Sequence, residues 1–84
     1  MFAKVRSSIF IDALNLQLFV PKGNFLRGIL KDDQGSVCRT IEKDIADDKE
    51  ELTWHGLNDL PYGRYTLELT QGGNEMKMNL VKRV

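Results

Sequence analysis

Two residues of this chain carry side chains that commonly do covalent chemistry, one thiol and one imidazole. Cys38 is the only cysteine and His55 the only histidine in the 84 residues. A thiol acts as a nucleophile when a base lies within hydrogen-bond reach and a third group orients that base. Nothing in the sequence places these two side chains together, so a cysteine hydrolase is a minority hypothesis. We expect Cys38 to be a small buried or edge-strand residue and His55 to face solvent.

Metal and nucleotide chemistry have little support in the sequence. One histidine and one cysteine fall short of a zinc ligand set. The aspartates that would supply calcium with oxygen ligands match no calcium-binding loop in their spacing; they are Asp32, Asp33, Asp47, Asp48 and Asp59. Gly72-Gly73 has the pattern of a hairpin turn, not of a phosphate-binding loop ahead of a helix. We therefore predict no catalytic residue, no metal site and no cofactor.

Exposed aromatic side chains are the first candidates for a binding surface. Tyr62 follows Pro61 in a turn, and Phe19 interrupts the polar side of an alternating segment, so we expect both to be exposed. Together with Phe25 they would form the platform of a small carbohydrate-binding domain. That remains an alternative hypothesis, because a single turn tyrosine does not make a platform.

Basic residues around the turn at Gly35 are the second candidates. Arg39 and Lys43 would share a face with Arg27 and Lys31 if all four pointed to one side of a hairpin. The whole chain carries twelve basic and twelve acidic residues, so it has no net charge that would attract nucleic acid over a distance. The sequence therefore favours a protein partner over nucleic acid. The candidate interaction surface consists of Tyr62, Phe19, Arg39 and Lys43.

The segment from Leu60 to Thr70 indicates which elements position these side chains. Pro61 presets the backbone for a turn, and Gly63 can adopt the positive φ that a turn often requires. A strictly alternating strand follows, and Tyr65 begins its core-facing side. We expect the Tyr65 hydroxyl to bond nearby backbone, in the manner of a tyrosine corner.

Similar patterns predict seven strands, separated by turn residues. They are residues 4–12, 14–20, 25–31, 36–45, 52–55, 64–70 and 75–84. Several positions are expected to face the core because of their period; they are Val5, Ser7, Ile9, Ile11, Val37, Ile41, Ile45, Met76, Met78, Leu80 and Val84. Gly28 indicates a bulge or a close approach, and Gly35 a left-handed turn position beside a bulge. We interpret 46–51 as an exposed acidic loop, with one helical turn starting at Asp47 as the alternative.

Two motifs resemble bacterial immunoglobulin-like modules. They are LTWHGL at Leu52–Leu57 and LPYGRYTL at Leu60–Leu67. The modules are the C-terminal tail domain of proteins exported by the Bacteroidetes type IX secretion system and the Ig-like insert of flagellar hook-capping proteins. The Asp33–Val37 hairpin and the closing Met78–Lys82 strand are similar to those of the tail domains. The resemblance spans roughly residues 26 to 84 and implies a sandwich with a structural or recognition role.

The sequence thus predicts one domain over residues 1–84, an all-β, immunoglobulin-like antiparallel sandwich of about seven short strands. We expect a non-enzymatic protein–protein interaction or structural module, whose partner is an unidentified protein or a second copy. The alternative is a small carbohydrate-binding or secretion-tail-like domain.

The expected compartment is the cytoplasm, because a lone cysteine forms no intramolecular disulfide. Export by an unrecognised route is the alternative. Polar residues interrupt the apolar run from Ile9 to Val20, which does not favour a signal peptide. No stretch reaches the roughly 20 apolar residues that span a bilayer.

Overall fold

The computed structural model describes residues 2–83, and within that range the chain forms eight strands and no helix. The strands are β1 (Ala3–Val5), β2 (Ile9–Phe10), β3 (Leu14–Leu18), β4 (Phe25–Asp32), β5 (Val37–Asp44), β6 (Glu50–Trp54), β7 (Gly63–Gln71) and β8 (Asn74–Lys82). One sheet has the order β1-β3-β6 and the other β2-β8-β7-β4-β5. The protein is an all-β sandwich, as predicted. The expectation of a fully antiparallel arrangement needs one correction, because β2 pairs with β8 in parallel.

Alternating leucines from both sheets form the core between the two layers. The small sheet and the large sheet each contribute side chains that are at most 1% exposed; they are Leu14, Leu16, Leu18, Leu26, Leu30, Leu67 and Leu69. Each fully buried leucine contributes roughly 1.5–3 kcal/mol through removal of apolar surface from water. The period-two patterns of β3 and β7 predicted this core correctly, since alternate strand residues point to the same face.

The N-terminal segment differs from the prediction. Instead of one strand over 4–12, the chain leaves the small sheet after Val5, crosses over, and joins the large sheet at Ile9. The Ser7 hydroxyl accepts the backbone N–H of Ile9 at 3.2 Å, a local bond that competes with strand pairing. The crossing changes which side faces inward: Phe10 is buried, whereas Ile9 and Ile11 are 49% and 50% exposed.

The turn at Gly35 agrees with the prediction, and the bulge beside it explains a wrong one. Gly35 has φ +84°, the left-handed conformation that glycine adopts without strain. The β4–β5 register shifts so that Cys38 has no opposite residue between Val37 and Arg39. The extra residue turns Val37 outward, where it is 56% exposed instead of lying in the core.

The acidic segment forms a loop over residues 46–49, as predicted, but Glu50 and Glu51 belong to β6. The Glu50 carboxylate accepts the backbone N–H groups of Ala46 and Asp47 at 2.6 and 2.9 Å. This is the side-chain half of a capping box without a helix to follow it. The predicted inward position of Val84 lies outside the described residues.

Strand directions divide the connections between two ends of the sandwich. The Pro21 end contains residues 19–24, 45–49 and the turn at 72–73. The Tyr62 end contains residues 11–13, 33–36 and 55–62. The longest dimension of the molecule is 35 Å, so a side chain at one end does not share a surface with one at the other.

Candidate functional site

The two aromatic candidates lie at opposite ends of the sandwich. Phe19 is 48% exposed at the Pro21 end, and Tyr62 is 66% exposed at the Tyr62 end. Their exposure agrees with the prediction. The Tyr62 ring also has the Lys82 ammonium 5.5 Å from its centroid, so that cation lies close to the ring. The structure therefore does not bring the aromatic candidates together into one platform.

The two basic candidates point to the inner face of strand β5, at the open side of the sandwich. Arg39 is opposite the buried Leu30, and Lys43 is opposite the buried Leu26. Residues directly opposite each other on paired strands share a face. Arg27 and Lys31 alternate with those leucines and therefore point outward, so the predicted common basic face is wrong. No sequence pattern shows which cations of a hairpin will lie over the core edge.

Each inward cation has an anionic partner from another element. Arg39 binds both carboxylate oxygens of Asp59 at 2.7 Å and also donates to the backbone carbonyl of Cys38 at 2.8 Å. Lys43 binds Glu50 of the other sheet at 3.1 Å. These contacts join β5 to the β6–β7 loop and to β6, and they close this side of the sandwich.

The Glu50 carboxylate is the most heavily bonded acid at this junction. Hydrogen bonds from the backbone of Asp47, from the Lys43 ammonium and from the backbone of Ala46 lower the pKa of Glu50 below its ordinary value of 4.5. An acid held in this way remains ionised when the solution becomes mildly acidic. Glu50 therefore fixes the β5–β6 loop and holds the Lys43 side chain in place.

Tyr65 forms the predicted tyrosine corner. Its ring is 4% exposed and its hydroxyl donates to the Pro61 carbonyl at 2.6 Å. Burial is the main cause that raises the pKa of Tyr65 above 10.0, followed by the negative charges of neighbouring groups. The Phe10 ring packs against it edge-on, with centroids 5.9 Å apart. The corner anchors the loop that carries both Asp59, the partner of Arg39, and Tyr62.

Cys38 and His55 have no contact that would assemble a nucleophile and a base within the described residues. The Cys38 thiol lies 3.6 Å from the Ser36 carbonyl and lines an open hollow of about 240 Å³ with Asp32, Asp33 and Tyr62. His55 does not line that hollow and is exposed. The exposure of His55 and the edge position of Cys38 agree with the sequence-based expectation.

Within the large sheet, strands β5 and β8 both present unpaired backbone groups at a free edge. The backbone N–H of Ile45 donates to the Asn24 carbonyl, and the Ile45 carbonyl accepts from the Gly23 N–H, so the backbone groups of Ile45 point toward the β4 side. Backbone direction alternates along a strand, so the preceding alternate residues direct their N–H and C=O groups away from β4; they are Cys38, Thr40, Glu42 and Asp44. We call these four residues the β5 edge. On the far side of the same sheet, Val81 donates to the Ser8 carbonyl at 2.8 Å and so points away from β7.

Strand β2 covers only the last part of β8. It pairs with Val81 and Lys82, and no strand among residues 2–83 pairs with 74–80 on that side. Since alternate residues point the same way, Glu75, Lys77 and Asn79 direct their backbone groups outward. We call these three the β8 edge, and all three are exposed. The sequence-based site missed them, because strand order within a sheet is not a local property.

The large sheet therefore offers two edges.

Residues 2–83 contain no group of three or more histidine, cysteine, aspartate or glutamate side chains placed to hold a metal ion. Across the same residues no helix has the length and apolarity needed to cross a membrane. No protein-family model matches the chain, and no curated protein matches its sequence.

Proposed function

We propose that this protein is a non-enzymatic interaction or structural module that binds a polypeptide partner through a free strand edge. The observation that carries the proposal is the β8 edge, where Glu75, Lys77 and Asn79 present exposed backbone groups along a straight strand. An extended segment that pairs there gains main-chain hydrogen bonds and extends the sheet. Its inward side chains would cover Met76 and Met78, which are only half-buried.

The strand arrangement supports an immunoglobulin-like fold for this module. A three-stranded sheet faces a five-stranded sheet, and the first two strands divide between them. The tyrosine corner at the start of β7 is a further feature of that fold. Immunoglobulin-like sandwiches serve many unrelated functions, so the edge and not the fold carries the functional proposal. The resemblance to secretion-tail and hook-capping modules stays a prediction.

A proline placed at an outward N–H tests the proposal without removing any internal hydrogen bond. Lys77→Pro deletes the central donor of the β8 edge, and Thr40→Pro deletes the equivalent donor of the β5 edge. A photoreactive amino acid at position 79 then reports binding in native cell extract. We expect the crosslinked protein product to disappear with Lys77→Pro and to persist with Thr40→Pro. A product that survives Lys77→Pro would contradict binding through β8.

A further inference from the structure

We propose that the β8 edge pairs with the β8 edge of a second copy of this chain, in an antiparallel two-fold arrangement centred on Met76. The inference rests on the proposed function and names the partner. It follows from the order of charges along β8, where Glu75 and Lys77 lie two residues apart on the outer face. Two-fold pairing about Met76 places Glu75 of each copy opposite Lys77 of the other.

The backbone geometry permits this register. In an antiparallel ladder, narrow pairs exchange both of their backbone hydrogen bonds, and they alternate with pairs that exchange none. Glu75 and Lys77 both direct their N–H and C=O groups to the free side, so they form the narrow pairs. Met76 of one chain lies opposite Met76 of the other, in a central pair without backbone hydrogen bonds. The two half-buried Met76 side chains lie next to each other on the inner face.

In this register the turn of the second copy, Gly72-Gly73, lies next to β2. Gly73 of the second copy comes opposite Asn79, two residues before Val81, where Ile9 pairs with β8. An added Cβ at either glycine would have no atom within 4 Å in the single chain, so the turn is open and narrow. Strand β7 of the second copy lies on the far side of its β8 and therefore does not meet β2.

In the proposed dimer, charged side chains on the outer face alternate in sign from one strand to the next, which favours the pairing. Lys31 bonds Glu68 at 2.9 Å on the outer face, and Glu68 lies directly opposite Lys77 on the neighbouring strand. Adding Glu75 of the second copy continues the alternation of positive and negative groups. Opposite charges in directly facing positions stabilise a strand pair, and like charges destabilise it.

Other registers of β8 lack this complementarity. Two-fold pairing about Lys77 would place the two lysines opposite each other, and pairing about Met78 would place Lys77 opposite Asn79. The Met76 register is the one that matches acid with base twice. Because five residues of each strand overlap, the interface is narrow and the dimer is weak, with a dissociation constant between about 1 µM and 1 mM.

Charge reversal and restoration test this register by sedimentation, at concentrations from about 1 µM to about 1 mM. Lys77→Glu and Glu75→Lys each replace two attractions with two repulsions, so each should raise the dissociation constant at least about tenfold. Mixing the two variants, or combining both changes in one chain, should restore dimerisation. Asp44→Lys on β5 is the matched control and should leave it unchanged. Thermal unfolding of each variant checks that the fold is retained.

Three results would overturn the proposal: a wild-type chain that is monomeric throughout, single reversals without effect, or a mixture that fails to associate. Failure here is separable from failure of the proposed function. If the wild type is monomeric but the crosslinked product at position 79 depends on an intact Lys77 N–H, the edge binds a different protein. If that product also ignores Lys77→Pro, the β8 edge binds nothing and both proposals fail.

Discussion

Strands β5 and β8 lie on opposite sides of the same sheet and both present free backbone groups, yet their charges are arranged differently. On β5 the cations Arg39 and Lys43 point inward, and the anions Glu42 and Asp44 point outward. Two-fold antiparallel pairing keeps each face continuous, so a charged side chain of β5 could meet a like charge or an uncharged residue, but no opposite charge. On β8 an anion and a cation share the outer face and complement each other.

The difference agrees with our proposal that β8 is the recognition edge, and it indicates that β5 is protected against pairing. Inward-pointing charges and a bulge are known means of preventing edge-to-edge association, and β5 has both. Its cations are also engaged by Asp59 and Glu50. Strand β8 has no bulge against β7, and its inner side is only half-covered. Free backbone length alone therefore does not identify a recognition edge.

The largest effect on stability is expected at Gly28 of β4, where β4 pairs with β5. A Cβ added at Gly28 would lie 2.9 Å from the Ile41 Cγ2 and 3.1 Å from the Leu69 Cδ2. Gly28→Ala should destabilise the fold by about 1–3 kcal/mol through overpacking, measured by urea unfolding. Gly73→Ala is the control, with nothing near the new methyl group, and should change stability by less than about 0.5 kcal/mol. Equal effects would show that β5 does not depend on this close approach.

An intermediate effect is expected at the tyrosine corner, which anchors the β6–β7 loop. Tyr65→Phe removes the hydrogen bond to the Pro61 carbonyl and should lower the free energy of unfolding by about 1 kcal/mol. Tyr62→Phe is the matched control, because no hydrogen bond of its hydroxyl occurs within residues 2–83. Thermal unfolding of both variants measures the difference. If Tyr62→Phe destabilised the protein as much as Tyr65→Phe, the Tyr65–Pro61 hydrogen bond would not be the cause of the effect.

A smaller effect is expected for the ion pair that holds the β5 side. A single guanidinium nitrogen of Arg39, Nη2, contacts both carboxylate oxygens of Asp59, and the two side chains are 35% and 72% exposed, so water screens the pair. A double-mutant cycle with Arg39→Met and Asp59→Asn should give a coupling of about 0.2–1 kcal/mol. Zero coupling would mean that Arg39 and Asp59 cover strand β5 by their bulk and not through their mutual attraction.

The smallest effect is expected in the pH dependence. Because the folded pKa of Glu50 is lower than its unfolded value, its stabilisation is present above about pH 4.5 and is lost as pH falls through the folded pKa. Glu50→Gln should therefore flatten the acid side of a plot of urea midpoint against pH. Glu42→Gln is the control for the loss of one exposed carboxylate, since Glu42 has no ion pair within the described residues. Parallel curves for wild type and Glu50→Gln would contradict the role given to this carboxylate.

Local chemistry made part of this structure predictable. The turn before Tyr65 and the alternation in β3 depend on neighbouring residues, and both were predicted correctly. The sheet crossing after Val5 and the outward turn of Val37 were not, because each depends on pairing with a distant strand. For the same reason the sequence predicted neither the pairing of Asp59 with Arg39 nor the β8 edge. Both follow from which strands are neighbours, and the sequence shows only which strands exist.

Amide hydrogen exchange, followed at the two edges as the protein concentration rises, distinguishes β8 from β5 as the recognition edge. The backbone N–H groups of Glu75, Lys77 and of Cys38, Thr40 and Glu42 all face solvent in the single chain, so they should exchange rapidly in dilute solution. On raising the protein concentration, we expect slower exchange at Glu75 and Lys77 and no change at the three β5 residues. Slowing on β5, or no concentration dependence on β8, would contradict the assignment of β8 as the recognition edge.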